Sequence, residues 1–212
     1  MTSGGPAKDA LSASQNATRR YRQVARAAAS ERTQQRIVEV FFDLLLAKRL
    51  DEITLDAVAD GAGTTRQTVI RLFGGKEKLI TAAIPLSYSR ITTTRTLPPD
   101  ASLTRIVQGV AADYEDTGDM VVRLLSQEEQ YPELTPMLNT GRAGHRAWAE
   151  ESFARYLKGL EGSRHDKLID ELVAVTDVYV WKLFRRDLGH SRARVTHLIE
   201  RLVEKVLADR LG

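Results

Sequence analysis

Wherever this chain is apolar, its apolar residues recur three and four positions apart, and strand-like alternation is missing. That pattern restricts the fold to packed helices. Ile37, Val40, Phe41, Leu44 and Leu45 share one face and predict an amphipathic helix over residues 32–48. Thr54 is placed to cap a short second helix, with Leu55, Val58 and Ala59 turned inward, that stops at Gly61-Ala62-Gly63. Thr65 caps a third helix running to Phe73, in which Val69 and Phe73 lie on one face. Gly74-Gly75 ends it, and Lys76-Glu77-Lys78 opens a fourth with Leu79, Ile80, Ala83 and Ile84 apolar and a kink expected at Pro85. Pro98-Pro99-Asp100 cannot continue a helix. Beyond it, helices are expected at about 102–117, 119–130, 134–160, 165–188 and 191–210, punctuated by Gly118, Pro132, Gly159 to Gly162 and Gly189.

Composition narrows the function classes. The 212 residues include no cysteine, which removes disulfides, thiolate metal sites and cysteine nucleophiles. No run of about 18 apolar residues is present, so no membrane-spanning helix is expected. The N-terminal stretch lacks the apolar core of a secretory signal, and the expected location is the cytoplasm. The net charge is +3, but residues 1–97 hold 15 Lys and Arg against 9 Asp and Glu, whereas residues 98–212 hold 16 against 19. A basic first half beside a mildly acidic second half fits a polyanionic partner for the first half alone, although domain charges also fluctuate this much by chance. Residues 1–30 read as a flexible basic extension that can turn helical towards its end: Lys8, Arg19, Arg20, Arg22 and Arg26 stand against Asp9. Such an arm can lie along a DNA groove or simply remain solvated.

The segment TLDAVADGAGTTRQTVIRLFGGKEKLI carries the chemistry. Two short helices joined by a tight glycine turn form a helix-turn-helix, the unit that lays its second helix in the DNA major groove. Ala59 is small enough for the helices to cross closely, and Gly63 can take the positive φ of the turn. Thr65, Arg66, Gln67 and Thr68 fall in the first turn of the second helix, where Arg can pair with guanine and Gln with adenine. The helix opening at Gly74-Gly75-Lys76 offers free amides and a full positive charge to a phosphate, or is merely a capped turn with a solvated lysine.

Taken in order, the apolar helix from Ile37 to Leu45, Thr54, Ala59, Gly63, Thr68, Phe73 and Lys76-Glu77-Lys78-Leu79 resemble the tetracycline-repressor (TetR) family of bacterial regulators, over about residues 31–91. The resemblance implies that Thr54 and Lys76 contact phosphates. It also implies that Thr65, Arg66, Gln67 and Thr68 read bases or backbone, with Ile70 and Arg71 on the same DNA-facing helix. Ile70 stands where the family commonly has an aromatic residue, and there it can press on a thymine methyl instead of binding a phosphate. Leu72 and Leu50 also depart from the family pattern.

The expected architecture is therefore all-α, with about nine helices. A three-helix DNA-binding domain over 31–91 precedes a larger ligand-binding and dimerisation bundle over 92–212. The resemblance implies double-stranded operator DNA and a small-molecule effector as partners, and a homodimer through the last two helices, about 165–188 and 191–210. Repression relieved by the effector is the family default. Tyr114, Met120, Met137, His145, Trp148 and Tyr179 are the candidate ligand-binding residues, though Met and aromatic residues at helical spacing are more often core fillers. Arg142 and Arg146 flank His145 and can hold an anion, or pair with Glu128, Glu129 or Glu150. No catalytic, metal or cofactor site is expected: the four histidines are scattered, and neither H-E-x-x-H, G-x-S-x-G nor a P-loop occurs. The alternative is a helical ligand-binding protein that no longer binds DNA specifically.

Overall fold

The computed structural model describes the backbone of residues 6–209 and the side chains of residues 22–209. All regular structure among them is helical. The order is α1 (Pro6–Ala47), α2 (Leu55–Gly61), α3 (Arg66–Phe73), α4 (Lys76–Arg95) and α5 (Leu103–Leu125). A 3₁₀ turn (Pro132–Leu134) leads into α6 (Thr135–Ser152), then α7 (Ala154–Leu157), α8 (Ser163–Val175) and α9 (Val178–Lys182). A π turn (Leu183–Asp187) precedes the last helix, α10 (Arg192–Asp209).

The first helix is longer than the 32–48 expected. From Pro6 the extension assigned to residues 1–30 continues unbroken into α1. Neither Gly nor Pro follows Pro6 before Ala47, and Ala, Arg and Gln are strong helix formers, so no apolar face is needed to carry the helix on. Residues 1–5 and the side chains of Lys8, Asp9, Arg19 and Arg20 lie outside the described residues.

Two apolar cores hold the chain together. Ile37, Phe41, Phe42 and Leu45 of α1 pack with Val58, Ala59, Val69, Leu79, Ile80 and Ala83. Burying each large side chain contributes roughly 1.5–3 kcal/mol. The same core takes in Met120 and Leu124 of α5 and Leu134, Met137 and Leu138, so apolar packing runs from α1 into the later helices without a break. The second core joins Ile106, Val107 and Val110 of α5 to Phe153, Leu168, Ile169, Trp181, Val195, Ile199 and Val203. Helix α5 packs on α1, α4, α6, α9 and α10 and forms the spine of the molecule.

Two glycine readings separate here. Gly63 takes φ +64° between α2 and α3, as the tight turn requires. Gly118 does not end a helix. It lies inside α5, where a Cβ would meet the Trp181 ring at 2.5 Å, so its missing side chain lets the indole pack against the helix. Conversely, the single helix expected over 165–188 is broken. Asp177 adopts an extended ψ of 155° and caps α9 through Tyr179 N–H, separating α8 from α9. The helix expected over 134–160 likewise divides at Phe153 into α6 and α7.

Candidate nucleic-acid interface and ligand cavity

Threonines set the starts of both short helices. Thr54 Oγ1 accepts from Ala57 N–H at 3.1 Å and caps α2, while Thr65 Oγ1 accepts from Thr68 N–H at 3.2 Å and caps α3. The hydroxyls of Thr65 and Thr68 share a further hydrogen bond of 3.0 Å. Val69, fully buried, pins α3 to the core. Arg66, Gln67, Ile70 and Arg71 therefore emerge together as an exposed ridge, with Ile70 42% exposed. No acidic residue lies on α3. Arg66 meets Asp56 at 3.4 Å with both side chains exposed, a contact worth little and readily exchanged for another anion.

Lys76 begins α4, which has no side-chain cap. Its Nζ donates to the Leu50 carbonyl at 2.9 Å and is half-buried, leaving two of its three N–H donors for another acceptor. Leu50 N–H in turn donates to Oε1 of the fully buried Gln127 at 3.2 Å. One residue, Leu50, thus links the start of α4 to the segment just after α5. Arg123 adds a second tie by donating to the carbonyls of Leu45 and Leu46 at the end of α1.

A cavity of about 340 Å³ opens between α4, α5, α6 and the junction of α8 with α9. Tyr114, Met120, Met137, His145 and Trp148 line it, as do Arg95, Asp113, Thr117 and Asp177. Tyr179 does not. It is 57% exposed on α9, and Leu183 and Leu188 after it are exposed as well.

Arg95, the last residue of α4, is the hub of the cavity's polar groups. Its Nη2 lies 2.6 Å from Asp113 Oδ2, and its Nε donates to the same oxygen at 2.8 Å; both side chains are buried. Burial pushes the Asp113 carboxyl up against the pull of Arg95, whereas Arg95 is held above its ordinary value despite burial. Two short contacts from the guanidinium to one carboxylate oxygen favour the ion pair. Arg95 Nη1 donates to His145 Nδ1 at 3.0 Å, which places the imidazole proton on Nε2, facing the Val173 carbonyl at 3.3 Å. Burial, then the Arg95 charge, push the His145 pKa down to about 4, so the ring is neutral. Tyr114 donates to the Thr176 carbonyl at 3.1 Å, and burial pushes its hydroxyl up to about 12. The guanidinium also sits over the rings of Tyr114 at 4.8 Å and Trp148 at 5.2 Å.

Sequence reading missed Arg95 and Asp113. The signal was there: each falls on the apolar stripe of its helix, Arg95 after Ile84 and Ile91, Asp113 after Ile106 and Val110. Opposite charges on two facing apolar stripes mark a buried pair. Arg142 and Arg146 are spent on the surface, the first on Glu128, the second on Glu150 at 3.3 Å and Asp170 at 2.6 Å. Among the described residues no group of three or more His, Asp or Glu side chains is placed to hold a metal ion, and no helix is long and apolar enough to cross a membrane.

No protein-family model matches the chain. No curated protein matches it either. Solved structures do. A tetR-family transcriptional regulator from Streptomyces coelicolor superposes with a TM-score of 0.69 at 17% identity, over 83% of this chain and 79% of that one. A regulator from Mesorhizobium loti ascribed to the same family gives 0.65 at 18% identity, over 84% and 96%. The flavonoid-responsive regulator FrrA gives 0.57 at 19% identity, over 85% and 96%. The chain has the all-helical fold of TetR-family transcriptional regulators.

Proposed function

We propose that the chain is a DNA-binding transcriptional regulator, acting as a cytoplasmic homodimer and released from its operator by a small molecule in the cavity. The observation that carries the proposal is the ridge on α3. Arg66, Gln67, Ile70 and Arg71 are exposed together, on a helix fixed from behind by Val69 and at its start by Thr65. A helix so presented can enter a major groove with hydrogen-bonding side chains foremost. Thr54 and Lys76 flank it as the phosphate contacts. Regulator names among the structural neighbours agree with this use of the fold.

The dimer is supported by the exposed apolar side chains Tyr179, Leu183 and Leu188 at the end of the 165–188 segment, which a partner copy would cover. Two copies related by twofold symmetry would set their α3 helices for half-sites about 34 Å apart. Helix α4 supplies the coupling. Its 20 residues reach from Lys76 beside the DNA face to Arg95 in the cavity wall, about 30 Å away. A ligand that binds better to the mis-spaced arrangement lowers DNA affinity by that difference in affinity. No residue is assigned a catalytic role.

The test is a mobility shift with duplexes selected from a random pool, repeated across salt concentrations, with sedimentation of the free chain. Enrichment of a two-half-site sequence whose affinity falls steeply with salt, together with a dimeric mass, is the expected result. Failure to enrich any duplex would remove the regulator reading.

A further inference from the structure

On the reading that the chain binds DNA as a dimer, the bundle must hold each helix-turn-helix at a set angle, because that angle fixes the distance between the two α3 helices. Apolar packing between the two regions is weakly directional, and Met120 and Met137, which take part in it, adapt readily to a shifted neighbour. Hydrogen bonds impose direction. Among the described residues, four run between residues 98–212 and residues 22–75, and two side chains make all four.

Gln127 lies just after α5 and is fully buried. Its Oε1 accepts from Leu50 N–H at 3.2 Å and its Nε2 donates to Asp51 Oδ1 at 3.3 Å, so both ends of the amide are committed to the loop between α1 and α2. Lys76 holds Leu50 from the other side, through its carbonyl. Arg123, one turn earlier, donates through Nη2 to the carbonyls of Leu45 and Leu46. The last turn of α1 has no basic residue of its own, and free carbonyls at a helix end favour a cation there. Arg123 Nε is buried with no hydrogen-bond partner, so the α1 carbonyls are what orient the guanidinium. Met120, Val121 and Leu124, in the same turns of α5, line the cavity. The grip therefore sits between the cavity wall and the helix-turn-helix.

We propose that Arg123 and Gln127 are positioning residues that set the angle of the helix-turn-helix on the bundle, and thereby the half-site spacing that the dimer accepts. One added base pair moves a half-site by about 3.4 Å and turns it about the duplex axis, so the dimer meets a wrong spacing only by straining these bonds.

The test is fluorescence anisotropy of the full chain on duplexes built from the selected sequence: the half-sites at their best spacing, one base pair closer, one base pair further, and a single half-site alone. The unaltered chain is expected to prefer one spacing. Gln127→Met and Arg123→Met each remove two of the four bonds and should shrink that preference by about tenfold, the effect of one to two net hydrogen bonds. Binding to the single half-site should change by less than about twofold, because α3 and its cap are untouched. Arg123→Lys, which keeps a cation against the end of α1, should retain most of the preference.

The proposal is overturned if the spacing preference survives in either methionine variant. It is overturned equally if the single half-site weakens as far as the paired site, the mark of a damaged helix-turn-helix. Asp51→Ala breaks one bond from the exposed side and decides the matter if a buried variant does not fold. There the preference should shrink by about threefold, and an unchanged preference overturns the proposal. A chain that selects no duplex removes the regulator reading and this inference with it. A chain that selects one, at a spacing the variants do not relax, overturns this inference alone.

Discussion

The two ends of α4 treat polar side chains in opposite ways. On α3 and at its cap they are exposed and bonded locally: Thr65 to a residue three positions on, Arg66 to one ten positions back. In the cavity they are buried and bonded across the chain: Arg95 to partners 18 and 50 residues away, Tyr114 to one 62 residues away. The first arrangement leaves donors free for an outside partner at little cost to the fold. The second commits them to one internal network, in which removing a member strands a charge or a donor. Substitutions near α3 should therefore change binding more than stability, and those in the cavity should do the reverse.

The sharpest way to break this contrast is Asp113→Ala, which leaves the Arg95 guanidinium buried and unpaired. It is expected to cost about 3–5 kcal/mol in urea unfolding, and replacing both partners together (Arg95→Met with Asp113→Leu) should recover most of it. Next in size is a pH effect. His145 is held near 4 in the fold against an ordinary value of 6.5, so between those values the unfolded chain binds the extra proton. Stability should fall as pH drops through that window, by on the order of 3 kcal/mol in all. The difference between the unaltered chain and His145→Gln in urea midpoints isolates this from Asp113 and Asp177, whose raised values act in the opposite sense.

The DNA-facing end should give smaller numbers. Thr65→Ala removes the cap of α3 and is expected to cost about 1 kcal/mol in the same unfolding assay. Arg66→Ala should change stability by less than about 0.5 kcal/mol, because its pairing with Asp56 is exposed. Should Arg66→Ala prove as destabilising as Asp113→Ala, the contrast between the two regions fails.

Legibility in the sequence divides along the same line. Thr54, Thr65 and Gly63 could be placed from the sequence because caps and turns are decided within a few residues, and the structure puts each at its expected place. Tyr114, Met120, Met137, His145 and Trp148 were picked out by residue type, as amphipathic and aromatic side chains in the helices before the last pair, and all five line the cavity. What period cannot show is which inward residues meet across the bundle, so the Arg95–Asp113 pair was missed and Tyr179 was assigned to the wrong side. Gly118 looked like a stop because the reason for it, the Trp181 ring, is over sixty residues away. The length of α1 was not legible because the stretch after Pro6 carries no apolar face and is sustained by helix propensity instead.

The central claim, that the α3 ridge reads duplex sequence, is tested most directly by fluorescence anisotropy of the unaltered chain and Arg66→Ala on a selected duplex and its scrambled counterpart. The expected result is a preference for the selected duplex that shrinks by about 1–3 kcal/mol in Arg66→Ala, with binding to the scrambled duplex nearly unchanged. An unaltered preference in Arg66→Ala, or equal affinity of the unaltered chain for both duplexes, would contradict it.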